Sequence, residues 1–350
     1  MRRSVVIFLL TTIVVVTLLL HSVSTLLSLL IEDASRDAIH RTDIPAPNST
    51  LLDNRPHLIP KIIHQTYKNE SIPSRWLSAQ RSCINLHPDY EYVLWTDEKS
   101  HDFIAKEYPW FLSTFTSYKH NIQRADAIRY FVLAHYGGVY IDLDDGCERR
   151  LDPLLSYTAF VRRTVPTGIS NDVMGSIPQH PFFLRVMESL PGANRSWVLP
   201  YITIMASTGP LFLSVIWKKW MGEHADLDPD TWIGRVRVIM PSEYSDHTWS
   251  FFKTYKGDSW HGDDARFIFW MGRNWMLLTA LGFLLAGVLG LMVWYVYSRL
   301  IIMGSRRRAG GVGSPRVSPF RFVGVGSRVP LWNVWSGKTQ SYELVAQHDA

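Results

Sequence analysis

The middle of this 350-residue sequence has no cluster of basic residues, although its formal net charge is +5. The positive charge sits at the ends. From Arg299 onward eight basic residues face two acidic ones, and Arg2 and Arg3 add to the excess, so Ser4 to Ser298 is left near −3. A nucleic-acid binder concentrates Lys and Arg on its folded part, so no nucleic acid is expected as a partner. Internal repeats are absent. Cysteine is scarce: only Cys83 and Cys147 occur. They allow one disulfide in an oxidising compartment or two buried thiols, and sequence alone does not place them within bridging distance. Charge is missing altogether from Trp275 to Ser298, and from Val5 to about Ile31 the polar residues are limited to Thr, Ser and His21.

Both uncharged runs exceed the ~20 residues that cross a bilayer as a helix. For the first, a cleaved signal peptide competes, because Ser22-Val23-Ser24 has a small-x-small pattern. Apolar character resumes at Leu26-Leu27 and Leu29-Leu30-Ile31, which favours a retained anchor. The second run has Trp270 and Trp275 at one end and Trp294, Tyr295 and Tyr297 at the other, the aromatic belts of two membrane interfaces. Arg2 and Arg3 precede the first run, while Arg299 and Arg306-Arg307-Arg308 follow the second. The positive-inside bias then puts both termini in the cytosol and residues ~32–274 on the opposite side. Sequons at Asn48, Asn69 and Asn194 fit a secretory lumen.

Between the spans, residues 32–57 are polar and proline-containing and read as a stalk. Leu58 to Tyr67 (LIPKIIHQTY) has a buried-strand core, a helix is expected from about Pro73 to Leu86, and Glu91 to Trp95 forms a second strand. Helices are expected over 98–107 and 121–135, the latter stopped by Gly137-Gly138. Val139-Tyr140-Ile141 is a third strand. This alternation predicts a mainly parallel α/β sheet, with ligands at the carboxyl ends of its strands. The tail from Gly304 is rich in Gly, Ser, Arg and Pro and is expected to be disordered. Within it, Tyr342-Glu343-Leu344-Val345 has the form of a sorting signal.

The third strand runs into Asp142-Leu143-Asp144-Asp145. Hard carboxylate oxygens suit Mg²⁺ or Mn²⁺, and Mg²⁺ takes one or two carboxylates together with substrate phosphates. Asp142 and Asp144 can face one such ion and leave room for a diphosphate. An isolated D-x-D is weak evidence, since an acidic loop facing water has the same pattern.

The longer run NIQRADAIRYFVLAHYGGVYIDLDDGC resembles the D-x-D glycosyltransferases, in which a helix carrying R/K-x-D-x-x-R and a YGG turn precede the motif. IPKIIHQTY resembles that family's opening strand, and NDVMGSIPQHPF (171–182), STGPLF (207–212) and GDSWH (257–261) follow in order. By pattern the nearest relatives are the fungal mannosyltransferases that make mannosyl-inositol-phosphorylceramide, with the Golgi initiators of N-glycan outer chains next.

The resemblance implies a GT-A-type, Rossmann-like domain over 58–270, between a signal anchor at 1–31 with its stalk at 32–57 and a membrane helix at 271–303, with a cytosolic tail at 304–350. It implies a metal held by Asp144 directly, by Asp142 through its water shell and ribose contacts, and by His261. Ile63, Gln65, Thr66, Asp126, Arg129, Asn171, Asp172 and Trp260 are implied as donor-binding residues. Asp126 and Arg129 are one helical turn apart and can reach one pocket, although a surface ion pair has the same spacing. Tyr67 stands where the family often has Trp. The expected reaction is retaining mannosyl transfer from GDP-mannose to inositol-phosphorylceramide at the Golgi membrane, with a lumenal catalytic domain and a regulatory membrane subunit. The alternatives are an α-mannosyltransferase acting on glycoprotein N-glycans and a non-catalytic membrane subunit of a glycosyltransferase complex.

Overall fold

A computed structural model describes residues 2–309, apart from 33, 48, 50–52, 165–166, 229–230, 245–247 and 256–261; for 2–5, 7–9, 243 and 300–309 it describes the backbone alone. Asn48, Trp260, His261 and the Tyr342 motif lie outside the described residues. The chain divides into two compact units, 1–274 and 275–350.

The first unit is built on a six-stranded sheet. β1 (Ile62–Thr66) lies between β2 (Glu91–Trp95) and β3 (Gly138–Ile141), and all three are parallel. Helix α2 (Ser74–Leu86) links the first pair; α3 (Asp97–Glu107), α4 (Pro109–Ser117) and α5 (Asn121–Tyr136) lead into β3. Apart from α4, which the sequence does not signal, these elements match the sequence expectation within a few residues. The sheet as a whole is mixed rather than mainly parallel. β6 (Ile169–Ser176) runs antiparallel to both β3 and β5 (Ala159–Arg163), and β7 (Arg237–Ile239) closes the edge parallel to β5. Only residues 164–168 separate β5 from β6, too few for the crossover that a parallel pair needs. A small antiparallel pair, β4 (Asp145–Cys147) with β8 (Phe252–Thr254), sits beside the acidic turn.

Side chains alternate across the sheet and feed two cores. Tyr140, Val161, Met174 and Val238 face one layer with Ile128, Phe131 and Trp217. Ile63, Val139, Ile141, Phe160 and Val173 face the other, with Cys83 and Phe251. In the second layer Cys83 and Cys147 form a disulfide that closes a 64-residue separation and resolves the choice left by the sequence. On loop-entropy grounds it is worth about 4 kcal/mol.

The expected stalk is not a free spacer. Residues 34–44 run along the β7 edge: Ala38 bridges Val238, the Ile39 amide donates to the Val238 carbonyl at 2.9 Å, and Ala34, Ala38 and Ile39 are buried. Composition made the segment look solvated, yet its few apolar residues are spaced to cover an otherwise open sheet edge.

Helix α1 (Arg2–Ile31) carries the first apolar run. Helices α6 (Pro181–Ala193), α7 (Pro200–Ser207) and α8 (Pro210–Glu223) pack in the α5 layer, and α10 (Asp263–Arg273) follows the short α9 (Pro241–Tyr244). Three stretches among the described residues are long and apolar enough to cross a membrane: Leu10–Ile31, Pro200–Glu223 and Trp275–Arg299. The middle one, α7 with α8, is half buried inside the first unit, with Ile204, Leu213 and Trp217 in its core. The last lies in α11 (Trp275–Ala309), which belongs to the second unit.

Candidate active site

The acidic turn is positioned by glycine. Gly137 and Gly138 have φ of 68° and 92°, and a Cβ on Gly138 would come within 2.7 Å of the Ile62 carbonyl oxygen. Only glycine adopts this region freely, so the helix α5 can end and β3 can start directly beside β1. At the far end of β3 the turn is tied down by its own backbone. The Asp145 amide donates to the Asp142 carbonyl at 3.0 Å, the Asp142 amide donates to the Asp172 carbonyl at 2.8 Å, and the Asp144 carbonyl accepts from the Tyr255 amide at 2.6 Å.

Arg129 of α5 is the hub. Its guanidinium donates to Asp142 Oδ2 at 3.1 Å and to the Asn171 carbonyl at 3.0 Å, pairs with Asp126 Oδ1 at 3.3 Å, and lies over the Tyr140 ring at 4.9 Å. The Asp126–Arg129 pair is buried, not a surface ion pair. Asp126 also accepts from Asn171 Nδ2 at 3.0 Å and Thr208 Oγ1 at 3.1 Å. Tyr140 Oη donates to Asp142 Oδ1 at 2.7 Å and is bonded to Thr66 Oγ1 at 2.8 Å. Both oxygens of Asp142 are thus engaged. A second guanidinium, Arg162, binds both oxygens of Asp145 at 3.1 and 3.0 Å and also pairs with Asp172. Asp145, for which the sequence leaves open a supporting place behind the metal or one facing solvent, is buried in the supporting place and further held by Thr254 Oγ1 at 2.7 Å.

Asp144 differs from all of these. Its carboxylate has no side-chain partner among the described residues, and burial raises its pKa. Burial also pushes Asp142 up to about 7, against the pull of Arg129. Among the described residues, Arg129 and Arg162 are the guanidiniums paired with the cluster of Asp126, Asp142, Asp144, Asp145 and Asp172. The cluster is short of positive charge, and the shortfall is concentrated at Asp144.

Asp142 and Asp144 close one part of a cleft of about 450 Å³, within the range of small-molecule sites. Of the residues expected from the sequence, Thr66, Arg129, Asp142 and Asp144 line it. Ile63 does not. Its position on β1 turns its side chain into the second core with Cys83 and Val139, where it cannot border a nucleotide. Gln65, on the same face, bonds Tyr92 Oη at 2.9 Å and contacts the Asp142 carbonyl at 3.4 Å from behind. Asp126, Asn171 and Asp172 likewise stand behind the wall, supporting Arg129 and Arg162 rather than bordering the cleft. Tyr67 does line the cleft, edge-on to Trp76 at 5.7 Å. Lys68, Trp95, Asp97 and Arg124 are among the other lining residues and were not anticipated, nor were the supporting Tyr140, Arg162 and Thr208.

The donor set fits a hard divalent cation bound together with a diphosphate. Two carboxylates at the cleft, Asp142 and Asp144, are what an ion needs that completes its shell with phosphates and water. Asp144 would hold it directly and Asp142, already bonded at both oxygens, through water.

Comparison with known proteins agrees with this geometry. Residues 73–161 match the glycosyltransferase sugar-binding region containing a DXD motif, and the fold and site define a glycosyltransferase. The chain is 50% identical over 287 residues to a mannosyl phosphorylinositol ceramide synthase of Saccharomyces cerevisiae, covering 81% of this chain and 75% of that protein. A second synthase of that name from the same yeast is 56% identical over 243 residues, with 69% and 61% covered. An inositol phosphoceramide mannosyltransferase of Schizosaccharomyces pombe is 53% identical over 237 residues, with 68% and 65% covered. The chain belongs to the mannosyl phosphorylinositol ceramide synthase family.

Proposed function

We propose that this protein is a retaining mannosyltransferase that moves mannose from GDP-mannose to inositol-phosphorylceramide, using Mn²⁺ or Mg²⁺. The observation that carries the proposal is the partly buried carboxylate of Asp144, without a side-chain partner among the described residues, in a nucleotide-sized cleft beside an Asp142 clamped by Arg129 and Tyr140. The ion would neutralise charge on the departing diphosphate. Arg129 holds Asp142 in place and keeps its own orientation through Asp126 and Asn171.

A double displacement needs a free carboxylate beside the sugar. Asp126, Asp145 and Asp172 are each occupied by a guanidinium; of the carboxylates that line the cleft, Asp142 is held by Arg129 and Tyr140, Asp144 is assigned to the cation and Asp97 to the base. This supports front-face attack, in which the acceptor hydroxyl oxygen bonds the anomeric carbon as the diphosphate leaves and takes the hydroxyl proton. Asp97 is the third carboxylate lining the cleft and has no side-chain partner among the described residues. An ionised carboxylate only accepts hydrogen bonds, which suits the N1–H and N2–H₂ edge of guanine and supports a guanosine donor.

The disulfide supports an oxidising compartment, hence a lumenal domain over 58–270, with anchors at 1–31 and 271–303 and a cytosolic tail at 304–350. The Golgi membrane as location and a regulatory membrane subunit as partner rest on the resemblance. The test is a microsomal assay with radiolabelled GDP-mannose and inositol-phosphorylceramide, with and without Mn²⁺, comparing wild type with Asp144→Ala. Metal-dependent transfer lost in the variant is expected; transfer unaffected by chelator overturns the proposal.

A further inference from the structure

Two membrane-linked segments seat on the same pair of helices. Glu32, the first residue past the apolar run of α1, pairs with Lys218 of α8, and Arg163 and Thr167 donate to the carbonyls of Glu32 and Leu29. Helix α10, which only Asn274 separates from the apolar run beginning at Trp275, seats on α7. There the Tyr201 amide donates to Asp264 Oδ2 at 2.6 Å, and the Tyr201 ring meets Phe269 at 5.6 Å.

The loop entering α7 exposes Trp197 (55%) and Val198 (98%). It is held in shape, since the Trp197 amide donates to Thr203 Oγ1 at 2.9 Å, and that hydroxyl contacts the Trp197 carbonyl at 3.2 Å. Helix α10 exposes Phe267, Phe269 and Trp270 in addition. Exposed aromatic residues on a helix that leads into a membrane span five to eight residues further on, and on the loop packed beside that helix, are placed for the headgroup layer, where Trp concentrates.

We infer that the 197–201 loop and α10 form one bilayer-docking face, and that α7 holds the sugar site a fixed height above it. Seven residues lead from Tyr201 to Thr208, roughly 11 Å of helix, and Thr208 bonds Asp126. Eight lead from Pro210 back to Lys218, again at a membrane-linked residue. The headgroup layer of one leaflet is roughly 5–7 Å thick. A sugar-phosphate headgroup standing in that layer needs only a short rise to reach the acidic turn, so the acceptor lipid stays in the bilayer during transfer. This last step rests on the reading of the protein as a transferase acting on a membrane lipid.

The test uses the full chain reconstituted in nanodiscs. Because both native cysteines are in the disulfide, Val198→Cys introduces a unique thiol for a fluorescent label, and Asp102→Cys on α3, exposed and away from these helices, serves as control. Nitroxide-headgroup lipid is expected to quench the label at 198 several-fold more than at 102; equal quenching overturns the docking face. In parallel, Trp197→Ser with Val198→Ser is expected to raise KM for bilayer-embedded inositol-phosphorylceramide about tenfold while leaving kcat with detergent-dispersed acceptor unchanged. An unchanged KM also overturns the face. Strong quenching at 198 in a protein that mannosylates no lipid supports the docking face and removes the proposed function instead.

Discussion

Neighbouring aspartates in the turn differ in what already holds them, and substitutions should separate them. Asp144→Asn removes a carboxylate that has no side-chain partner among the described residues and whose pKa burial has raised. Activity is expected to fall by about 10²-fold or more, with the unfolding midpoint unchanged or slightly raised. Asp126→Ala strips a buried partner from Arg129 and removes an acceptor of the Asn171 amide and the Thr208 hydroxyl. Breaking a buried pair costs about 3 kcal/mol, so denaturant melts should show clear destabilisation as well as lost activity. Equal stability losses in the two variants would contradict this division of roles. At Asp97 the expectation is a change of specificity. Asp97→Asn should weaken GDP binding about 10- to 100-fold and improve binding of xanthosine diphosphate, whose C2 carbonyl accepts from an asparagine amide. Titration calorimetry with both nucleotides checks it.

The reach of the sequence is uneven at this scale. Asp142 and Asp144 were legible because their spacing is local. Arg129 and Asp126 were legible as a helical pair, but the sequence left open whether the pair was buried. Thr208 was not readable, since its bond to Asp126 joins residues 82 apart, and the STGPLF run has no local chemistry that points there. The same holds for Arg162, which no local pattern singles out and which Asp145 and Asp172 meet only in the fold. Ile63 was misplaced for a simpler reason. The period of two along β1 puts it on the face opposite Thr66, and the alternation alone shows that both cannot border one cleft.

At the scale of elements, β1 carries a pH-sensitive joint. His64 is buried between β1 and its neighbours; its Nε2 contacts the Gly137 carbonyl at 2.9 Å, and its Nδ1 accepts from Trp95 Nε1 at 3.1 Å. The ring is therefore the neutral tautomer protonated on Nε2, and a second proton on Nδ1 would face the Trp95 N–H. Burial lowers its pKa to about 4. The unfolded chain, with an ordinary histidine, binds the proton first as pH falls. Stability is complete above about pH 6.5 and is lost progressively down to about pH 4, by roughly 3 kcal/mol from this residue. His180, also lowered to about 4 by burial, adds in the same direction. Asp142, raised by burial to about 7, titrates in the same window with the opposite sign, so the histidine contribution is read by difference: from pH 7.5 to 6 and 5 the thermal midpoint of His64→Gln should fall less, or rise more, than that of the wild type, even though the substitution lowers the midpoint at neutral pH. The disulfide acts on a different element pair, fastening α2 to the strand that follows the acidic turn. Gly146 lies close against α2, where an added Cβ would come 2.8 Å from Ser82 Oγ. Its neighbour Cys147 therefore reaches Cys83, an arrangement that sequence separation could not reveal.

For the whole molecule, apolar length alone is ambiguous. Pro200–Glu223 satisfies the same criterion as the two terminal spans, yet it is broken at Thr208–Gly209, where both amides turn back to the Ile204 carbonyl at 3.2 and 3.0 Å, and half of it is core. Its hydrophobicity serves two purposes, packing against α5 and seating the segments that enter the membrane. The second unit can then be removed without cutting into the first, since the boundary falls after Asn274. A chain ending at Asn274 keeps the cleft, Asp144 and the disulfide, and should bind GDP with unchanged affinity. It loses one of two tethers, and with it much of the effective concentration of the docking face at the bilayer. Transfer to acceptor in vesicles is expected to drop about tenfold, while transfer to acceptor dispersed in detergent should match the full chain. Equal loss on both acceptors would mean that α11 supports the catalytic fold itself, and full activity on both would mean that the α1 anchor and the α7–α10 face suffice to hold the site at the membrane.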